Sequence, residues 1–313
     1  MISIILSFRN EESIIKQSIE ILTSTLEKFS PEYELIFVDD NSTDNSLNIL
    51  KEICNQNPKV KIIKMSRRFG TIPCQLAGIK YGQGKYFVIM DCDLQDPPEL
   101  IEKMLSLIKN EGYNIVHTKR VKRTGESKVK LFMTKIAYRL INLFSEIKLE
   151  NDVGIFKIFD RKVADKLNDI NEYDPYLRGL FYWVGFKQTT IEYDRKDRIG
   201  GVSQYGLLSS IYPYKEFVRG ITSFSMTPLY IALYFGALTT IFSAILIIAS
   251  IINKIFNESV TSGWTSLFIA ISFFGGLIIF ILGIIGIYIG KIFENSRGRP
   301  RYIVEEEINI EKK

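Results

Sequence analysis

Two stretches without a single charge constrain this chain more than anything else in it. No Asp, Glu, Lys or Arg stands between Leu229 and Ile252, nor between Trp264 and Gly290. As helices rising ~1.5 Å per residue, each is long enough to cross a hydrocarbon core of ~30 Å. Core helices of soluble proteins rarely run so far without a charge, so a membrane hairpin is preferred over a buried helix pair. The connection from Asn253 to Gly263 carries only Lys254 and Glu258, whereas Lys291, Arg297, Arg299 and Arg301 follow the second stretch. Lys215 and Arg219 precede the first. The positive-inside rule then places the large preceding region and the tail in the cytoplasm, as parts of a multi-pass protein of the cytoplasmic (inner) membrane.

The 313 residues suffice for a full α/β domain besides the hairpin. Residues 1 to about 117 alternate apolar runs with helical patterns. Strands are expected at Ile2–Phe8, Tyr33–Val38, Val60–Met65, Tyr86–Met90 and Asn114–Thr118. Between them, spacings such as Ile15, Ile19, Leu22 and Leu26 predict helices. Repeated βα units predict a doubly wound, mostly parallel sheet. Ile2–Leu6 is too short for a signal-peptide core, with Arg9, Glu11 and Glu12 close behind, and reads as the first strand. Cys54, Cys74 and Cys92 make no C-x-x-C pair and read as reduced thiols, Cys92 as a small buried side chain. A lone histidine, His117, excludes a His-rich metal site and reads as the end of a strand. The net charge of +5 suits an anionic membrane or substrate, and no nucleic-acid motif accompanies it.

The chemistry concentrates at Asp91-Cys92-Asp93-Leu94-Gln95-Asp96-Pro97-Pro98-Glu99, directly after the apolar run Tyr86–Met90. A bare D-x-D is a weak signal. Here it closes a strand expected to be buried on both faces, and Pro97-Pro98 ends that strand and opens a helix. Asp91, Asp93 and Gln95 offer hard oxygen ligands for Mg²⁺ or Mn²⁺ with positions left for a diphosphate. Asp39 and Asp40 close the second strand and Glu11 follows the first. A carboxylate there can accept from a base N–H or a ribose hydroxyl, or it can cap the helix announced by Asn41-Ser42-Thr43-Asp44. Convergence of Glu11, Asp39, Asp91 and Asp93 at three strand ends favours a nucleotide site with a metal. Further on, Lys119 to Lys135 is a basic run, with Arg120 and Arg123 in it, carried into an amphipathic helix that reads as membrane-surface or sheet-packed. Arg195, Lys196, Arg198 and Gly200-Gly201 make a cationic loop, and Tyr212, Tyr214 and Phe217 suit a membrane interface.

These residues carry a resemblance. The chain resembles family 2 glycosyltransferases of the GT-A fold, in particular membrane-anchored polyprenyl-phosphate glycosyltransferases related to dolichyl-phosphate mannose synthase. Phe37 to Asp44 resembles the family's VDDGSTD, and Asp91 to Glu99 resembles DADLQDPPE, a specific match. Leu177-Arg178-Gly179-Leu180, Trp183 to Phe186, Arg195 to Tyr205 and Gly298-Arg299-Pro300 resemble later segments, so the likeness spans nearly the whole chain. The resemblance implies a GT-A domain over 1–200, juxtamembrane interfacial helices over 201–227, transmembrane helices over 228–290 (about 229–252 and 264–290) and a cytoplasmic tail over 291–313. It implies Asp91, Asp93 and Gln95 at the metal, and Glu11, Asp39, Asp40 and Asp91 at the nucleotide. It implies Arg120, Arg123, Arg195 and Arg198 at the acceptor phosphate, and Asp93, Asp152 and Arg120 at the reaction centre. A membrane-associated homo-tetramer is compatible with it. The sequence departs from the family where Ser7 and Arg9 replace a proline and a tyrosine. It departs again at Thr71-Ile72-Pro73, at Gly154 to Ile158 where GDFRL is usual, and at Gln204 where a lysine is usual.

The expected activity is inverting transfer of one sugar from a nucleotide-sugar, a UDP-hexose, to polyprenyl phosphate at the cytoplasmic face. The alternatives are a membrane-tethered nucleotide-sugar binding protein without turnover and a processive polysaccharide synthase, whose Q-x-x-R-W is absent. A phosphatase of the haloacid-dehalogenase type carries D-x-D on its first strand, whereas here it follows the fourth.

Overall fold

The computed structural model describes residues 1–121, 139, 141–145, 147–150, 153–194, 212–256 and 263–310. Arg123, Asp152, Arg195 and Arg198, and the basic run from Lys122 to Lys135, lie outside the described residues.

An eight-stranded sheet organises the amino-terminal region. Its strands are β1 (Ile2–Phe8), β2 (Tyr33–Asp39), β3 (Val60–Met65), β4 (Tyr86–Asp91), β5 (Ile115–Arg120), β6 (Val153–Asp160), β7 (Gln188–Tyr193) and β8 (Val304–Ile308), in the order β7-β5-β6-β4-β1-β2-β3-β8. β1 pairs in parallel with both β2 and β4, β2 with β3, and β5 with β7. Every side chain of β2 is buried, as expected of a central parallel strand covered on both faces. The sheet is mostly parallel, with two departures. β6 enters antiparallel between β4 and β5, and β8 runs antiparallel along the edge of β3. The segment expected as a tail from residue 291 continues the last helix to Ser296 and then returns to the sheet.

Helices cover both faces. α1 (Ile15–Leu26), α2 (Ser46–Gln56) and α4 (Leu100–Glu111) bury Ile15, Leu22, Leu50, Ile101 and Met104 against Ile4, Leu6, Phe37, Val88 and Met90. α3 (Thr71–Tyr81), α5 (Arg161–Asp169) and α6 (Leu177–Trp183) bury Ala77, Ile79, Val163, Leu167 and Leu180 against Ile5, Ile36, Val38, Phe87 and Phe159. A Cβ on Gly78 would lie 2.3 Å from Cγ2 of Ile5, so α3 approaches β1 closely only because that residue is glycine. Cys92 joins the first core at 3% exposure, the small buried side chain expected.

α7 (Tyr212–Phe224) leads into α8 (Thr227–Phe256), and α9 (Trp264–Ser296) follows. At 30 and 33 residues these last two span about 45 and 50 Å at ~1.5 Å per residue. They are not core helices. Almost none of Thr227–Leu246 and none of Phe273–Ser296 is buried, and Tyr234 and Ile279 stand 71% and 72% exposed. Phe217 packs against the second core instead of facing outward, because α7 lies on the domain.

α7 and α9 are fastened to the sheet domain at several points. Phe224 packs 6.3 Å from the Tyr176 ring and over Gly179, where a Cβ would meet the Phe224 ring at 2.2 Å. Arg219 pairs with both carboxylate oxygens of Asp174 at 2.8 Å. Asn295 Oδ1 accepts from the Tyr173 N–H at 2.8 Å, and α9 is tied to α7 itself where Lys291 donates to Ser223 Oγ at 3.0 Å. Beyond α9, β8 presents Glu305 and Glu306 to Lys64 and Lys51 at 2.9 and 2.6 Å, and Tyr81 donates to Glu307 at 2.5 Å.

Candidate active site

The carboxyl ends of the parallel strands form one edge. Register sets Asp39 beside Phe8 and Asp91 beside Ser7. The two carboxylates therefore flank the end of β1, about 10 Å apart across two strand spacings. The loops that follow β1, β2 and β4 each hold a non-glycine residue with positive φ: Asn10 (+55°), Asn41 (+57°) and Leu94 (+56°). Asparagine tolerates this conformation, while for leucine it is strained, and such strain persists where the surroundings over-determine it. Three turned loops at neighbouring strand ends mark the edge as a built site.

The first two loops are tied together. Asn10 Oδ1 accepts from the Thr43 N–H at 2.8 Å, and the Asn10 N–H donates to Ser42 Oγ at 3.0 Å. The Glu11 N–H donates to Ser46 Oγ at 2.9 Å. Asp44 receives the Ser46 and Glu12 N–H groups, and although burial pushes its carboxyl up, these hydrogen bonds hold it below the usual range. Glu11 is buried at 8% exposure within this lacing.

Asp39 is fully buried. Its Oδ1 accepts from the Ser42 N–H and hydroxyl at 2.9 and 2.5 Å, a turn-capping role. Its Oδ2 is buried with no hydrogen-bond partner among the described residues. Burial raises its pKa above the ordinary carboxylate value, with the Ser42 bonds opposing. A buried acceptor left open is costly unless something supplies a donor. Asp40 has other work. It accepts from the Phe69 and Gly70 N–H groups at 2.6 and 3.0 Å and holds the loop before α3. Gly70 has φ +97°, open to glycine alone without strain.

On the other side of β1, Asp91 ends β4, and Asp93, buried at 9% exposure, accepts from the Gln95 N–H at 3.2 Å. Among the described residues no group of three or more His, Cys, Asp and Glu side chains could hold a metal ion. Two carboxylates with an amide oxygen still fit Mg²⁺ or Mn²⁺, which take one or two protein carboxylates and complete their shell with substrate phosphate and water.

Asp96, named in the motif without a role, sits at the centre of a network that sequence reasoning missed. It is fully buried, receives the Tyr193 hydroxyl, and faces Arg120 at 3.9 Å. Arg120 Nε donates to the same tyrosine oxygen at 3.3 Å. Burial and the neighbouring Asp96 push the Tyr193 phenol up to about 12. Arg120 ends β5, which runs two residues past the expected Thr118, and its guanidinium lies against Gly154 of β6. It thus ties the D-x-D loop to β5 and β7 from within the fold. The unabsorbed third carboxylate of the motif was the available signal. His117 lies inside β5, not at its end, and burial drives it down to about 3, so it is neutral.

A crevice at the carboxyl ends of a doubly wound sheet, with an open buried acceptor on one side and paired carboxylates on the other, defines an α/β enzyme that binds its ligand at the topological switch. The chain belongs to glycosyl transferase family 2, whose profile matches residues 3–167, and its sheet is the GT-A type expected. It is a glycosyltransferase, which sets aside binding without turnover. It is 40% identical to an uncharacterized glycosyltransferase of Bacillus subtilis, YkcC, over 99% of this chain and 95% of that one. It is 31% identical to the bactoprenol glucosyl transferase of Shigella phage SfV over 98% of both chains. Among solved structures, glucosyl-3-phosphoglycerate synthase of Mycobacterium tuberculosis in complex with Mn²⁺, UDP-glucose and phosphoglyceric acid is 17% identical, with a TM-score of 0.49 over 71% of this chain and 77% of that one.

Proposed function

We propose that the protein transfers a single sugar, with inversion, from a nucleotide-sugar (a UDP-hexose) to polyprenyl phosphate at the cytoplasmic face of the membrane. The observation that carries this reading is the attachment of two exposed apolar helices to the domain that bears the strand-end carboxylates, through α7 packed on Gly179 before them and through Asn295 and β8 after them. A soluble acceptor requires no such anchor. A lipid phosphate does, since its head group stays at the interface while its chain stays in the bilayer. The end-to-end likeness to a bactoprenol glucosyl transferase supports the same acceptor. The return of the chain to the sheet as β8 supports a topology with the domain and the tail on one side of the membrane.

On this reading Asp39 Oδ2 accepts a base N–H, and Glu11 lies at the nucleotide beside it. Asp91, Asp93 and Gln95 hold Mg²⁺ or Mn²⁺, which when bound stabilises the charge developing on the leaving diphosphate. Arg120 sets the D-x-D loop through Asp96. The acceptor phosphate has a second pKa of ~6 and is ionised at neutral pH, so no strong general base is needed and its oxygen attacks the anomeric carbon directly. Asp152 then orients the sugar or acceptor, and Arg123, Arg195 and Arg198 attract the phosphate. The test is to incubate the purified full chain with a panel of nucleotide-sugars, Mg²⁺ or Mn²⁺ and undecaprenyl phosphate. A monophosphate-linked lipid-sugar is the expected product. Efficient glycosylation of a free sugar or peptide, with the lipid phosphate left unmodified, would overturn the reading.

A further inference from the structure

Lys157 is among the most deeply buried large side chains, at 2% exposure, although it is a lysine. It projects from β6, opposite Ile89 of β4 and His117 of β5. Its Nζ lies 4.3 Å over the Phe181 ring, and among the described residues no oxygen accepts a hydrogen bond from it. Lysines are almost never fully buried without a partner, and an uncompensated ammonium costs several kcal/mol.

This side chain lines a narrow cleft shared with Arg178 and Tyr182 of α6, with Tyr176, and with Glu150 and Val153 at the entry to β6. Among the described residues, two of the three ionisable chains on its wall besides the tyrosines are cations, and the third, Glu150, is exposed to solvent. His117, stacked on Tyr182 at 4.6 Å, adds no charge because it is neutral. The cleft has room for one water-sized group, not a whole phosphate. Its place is suggestive. Lys157 stands about 7 Å below the level of Asp91, one strand over, by the rise of two residues. The other wall is α6, whose Gly179 receives Phe224 just before the first apolar helix. The cleft therefore lies beside α6, on which Phe224 of α7 packs, and two residues along the sheet from the level of Asp91.

We propose that this cleft seats one oxygen of the acceptor's phosphate monoester, with Lys157 as its buried counter-ion and Arg178 on its wall. The remaining phosphate oxygens stay in the mouth of the cleft. This assignment rests on the lipid-phosphate reading above and names residues that reading does not use. Burial and the charge of Arg178 hold the Lys157 ammonium down to about 7. The free protein therefore loses this charge as pH rises through 7, and binding a dianionic phosphate monoester at pH 8 takes up a proton.

The experiment is calorimetry on the full chain in detergent, with farnesyl phosphate, inorganic phosphate and UDP as separate probes. Measurements are made at pH 6.5 and 8, in buffers of different ionisation heat. Farnesyl phosphate should bind with proton uptake at pH 8. K157M should weaken it by about 10- to 100-fold at pH 6.5, the range for losing a charge-assisted hydrogen bond, and leave UDP unchanged. K157R, which stays charged, should retain binding and abolish the proton uptake. Equal affinity and equal proton uptake in wild type and K157R overturn the assignment, and so does unweakened binding in K157M. Inorganic phosphate binding as tightly as farnesyl phosphate would make this a free-phosphate site and overturn the lipid assignment. If the Lys157-dependent binding is found but no sugar reaches undecaprenyl phosphate, the site stands and the transfer reading falls.

Discussion

Replacing Asp96 with alanine tests whether the network beneath the D-x-D loop holds the site in place. Its carboxylate is fully buried, accepts from the Tyr193 hydroxyl, and lies 3.9 Å from Arg120. A hydrogen bond to a charged group contributes ~1.5–3 kcal/mol, and removing one partner of a buried charge pair costs ~3–5 kcal/mol. Arg120 keeps 22% side-chain exposure, the field of Asp91 and its bond to Tyr193, so the lower end applies and about 3 kcal/mol is expected for Asp96→Ala. Asp96→Asn keeps an acceptor for Tyr193 and loses only the charge, so about 1–2 kcal/mol is expected. For a domain of this size ~1 kcal/mol moves Tm by ~2–4 °C, which puts the alanine variant about 6–12 °C below wild type in a thermal melt. A cycle with Tyr193→Phe should show coupling of about 1 kcal/mol or more, since the two groups touch. Turnover should fall in Asp96→Ala as the loop bearing Asp91 and Asp93 loses its support. A melt within about 1 °C of wild type, or strict additivity with Tyr193→Phe, would refute the reasoning.

Asp93→Asn removes a formal charge from the pair proposed to hold the metal. Turnover should fall by at least ~10²-fold, the scale for one preorganised electrostatic contact, and full activity in excess chelator would sink the metal assignment. Asp39 is held above the ordinary carboxylate pKa by burial, so it takes up a proton before an exposed aspartate does as pH falls. UDP affinity should therefore weaken on acidification through that raised pKa, and Asp39→Asn should flatten the dependence in a titration from pH 7 to 4. Gly179→Ala would set a Cβ 2.2 Å from the Phe224 ring, so the melt should fall by several degrees and be partly restored by Phe224→Leu; an unchanged melt argues against the docking of α7.

The parallel half of the sheet and the apolar helices were legible because each rests on local pattern. Runs such as Ile2–Phe8 and Tyr33–Asp39 are apolar enough to be buried on both faces, and the acidic pair sits where such a strand stops. The insertion of β6 was not legible. Alternating strands and helices predict parallel neighbours, while the choice of β4 and β5 as antiparallel partners for Val153–Asp160 is made by tertiary packing, with Phe159 stacking 5.6 Å from Phe87. Arg120 was read with the basic run because sequence proximity groups it with Lys119 and Lys122. Its actual partners, Asp96 and Tyr193, are distant in sequence and meet only because β5 pairs with β7. Lys157 stands where GDFRL carries its arginine, but a lysine inside an apolar run reads by pattern as an outward-facing position, so its burial was not legible.

β8 shows the same limit and changes how the site relates to the apolar helices. Val304-Glu305-Glu306-Glu307-Ile308 has too many carboxylates to read as a strand, because acidic residues are depleted in sheets. Lys51 and Lys64 neutralise two of them, and Asn309 closes the end by donating to the carbonyls of Cys54 and Val60. The charges suit an edge strand, where they discourage pairing with another chain. The sheet domain is therefore attached to the helices at both of their outer ends: through Phe224 over Gly179 before α8, and through Asn295 and then β8 after α9. A single tether would leave the domain free to swing. If the two helices form a membrane hairpin, as proposed, attachment at both ends holds the strand-end crevice at one height relative to it. On the lipid-acceptor reading the head group then reaches Asp91 and Lys157 by moving along the membrane plane, without the domain having to move toward it.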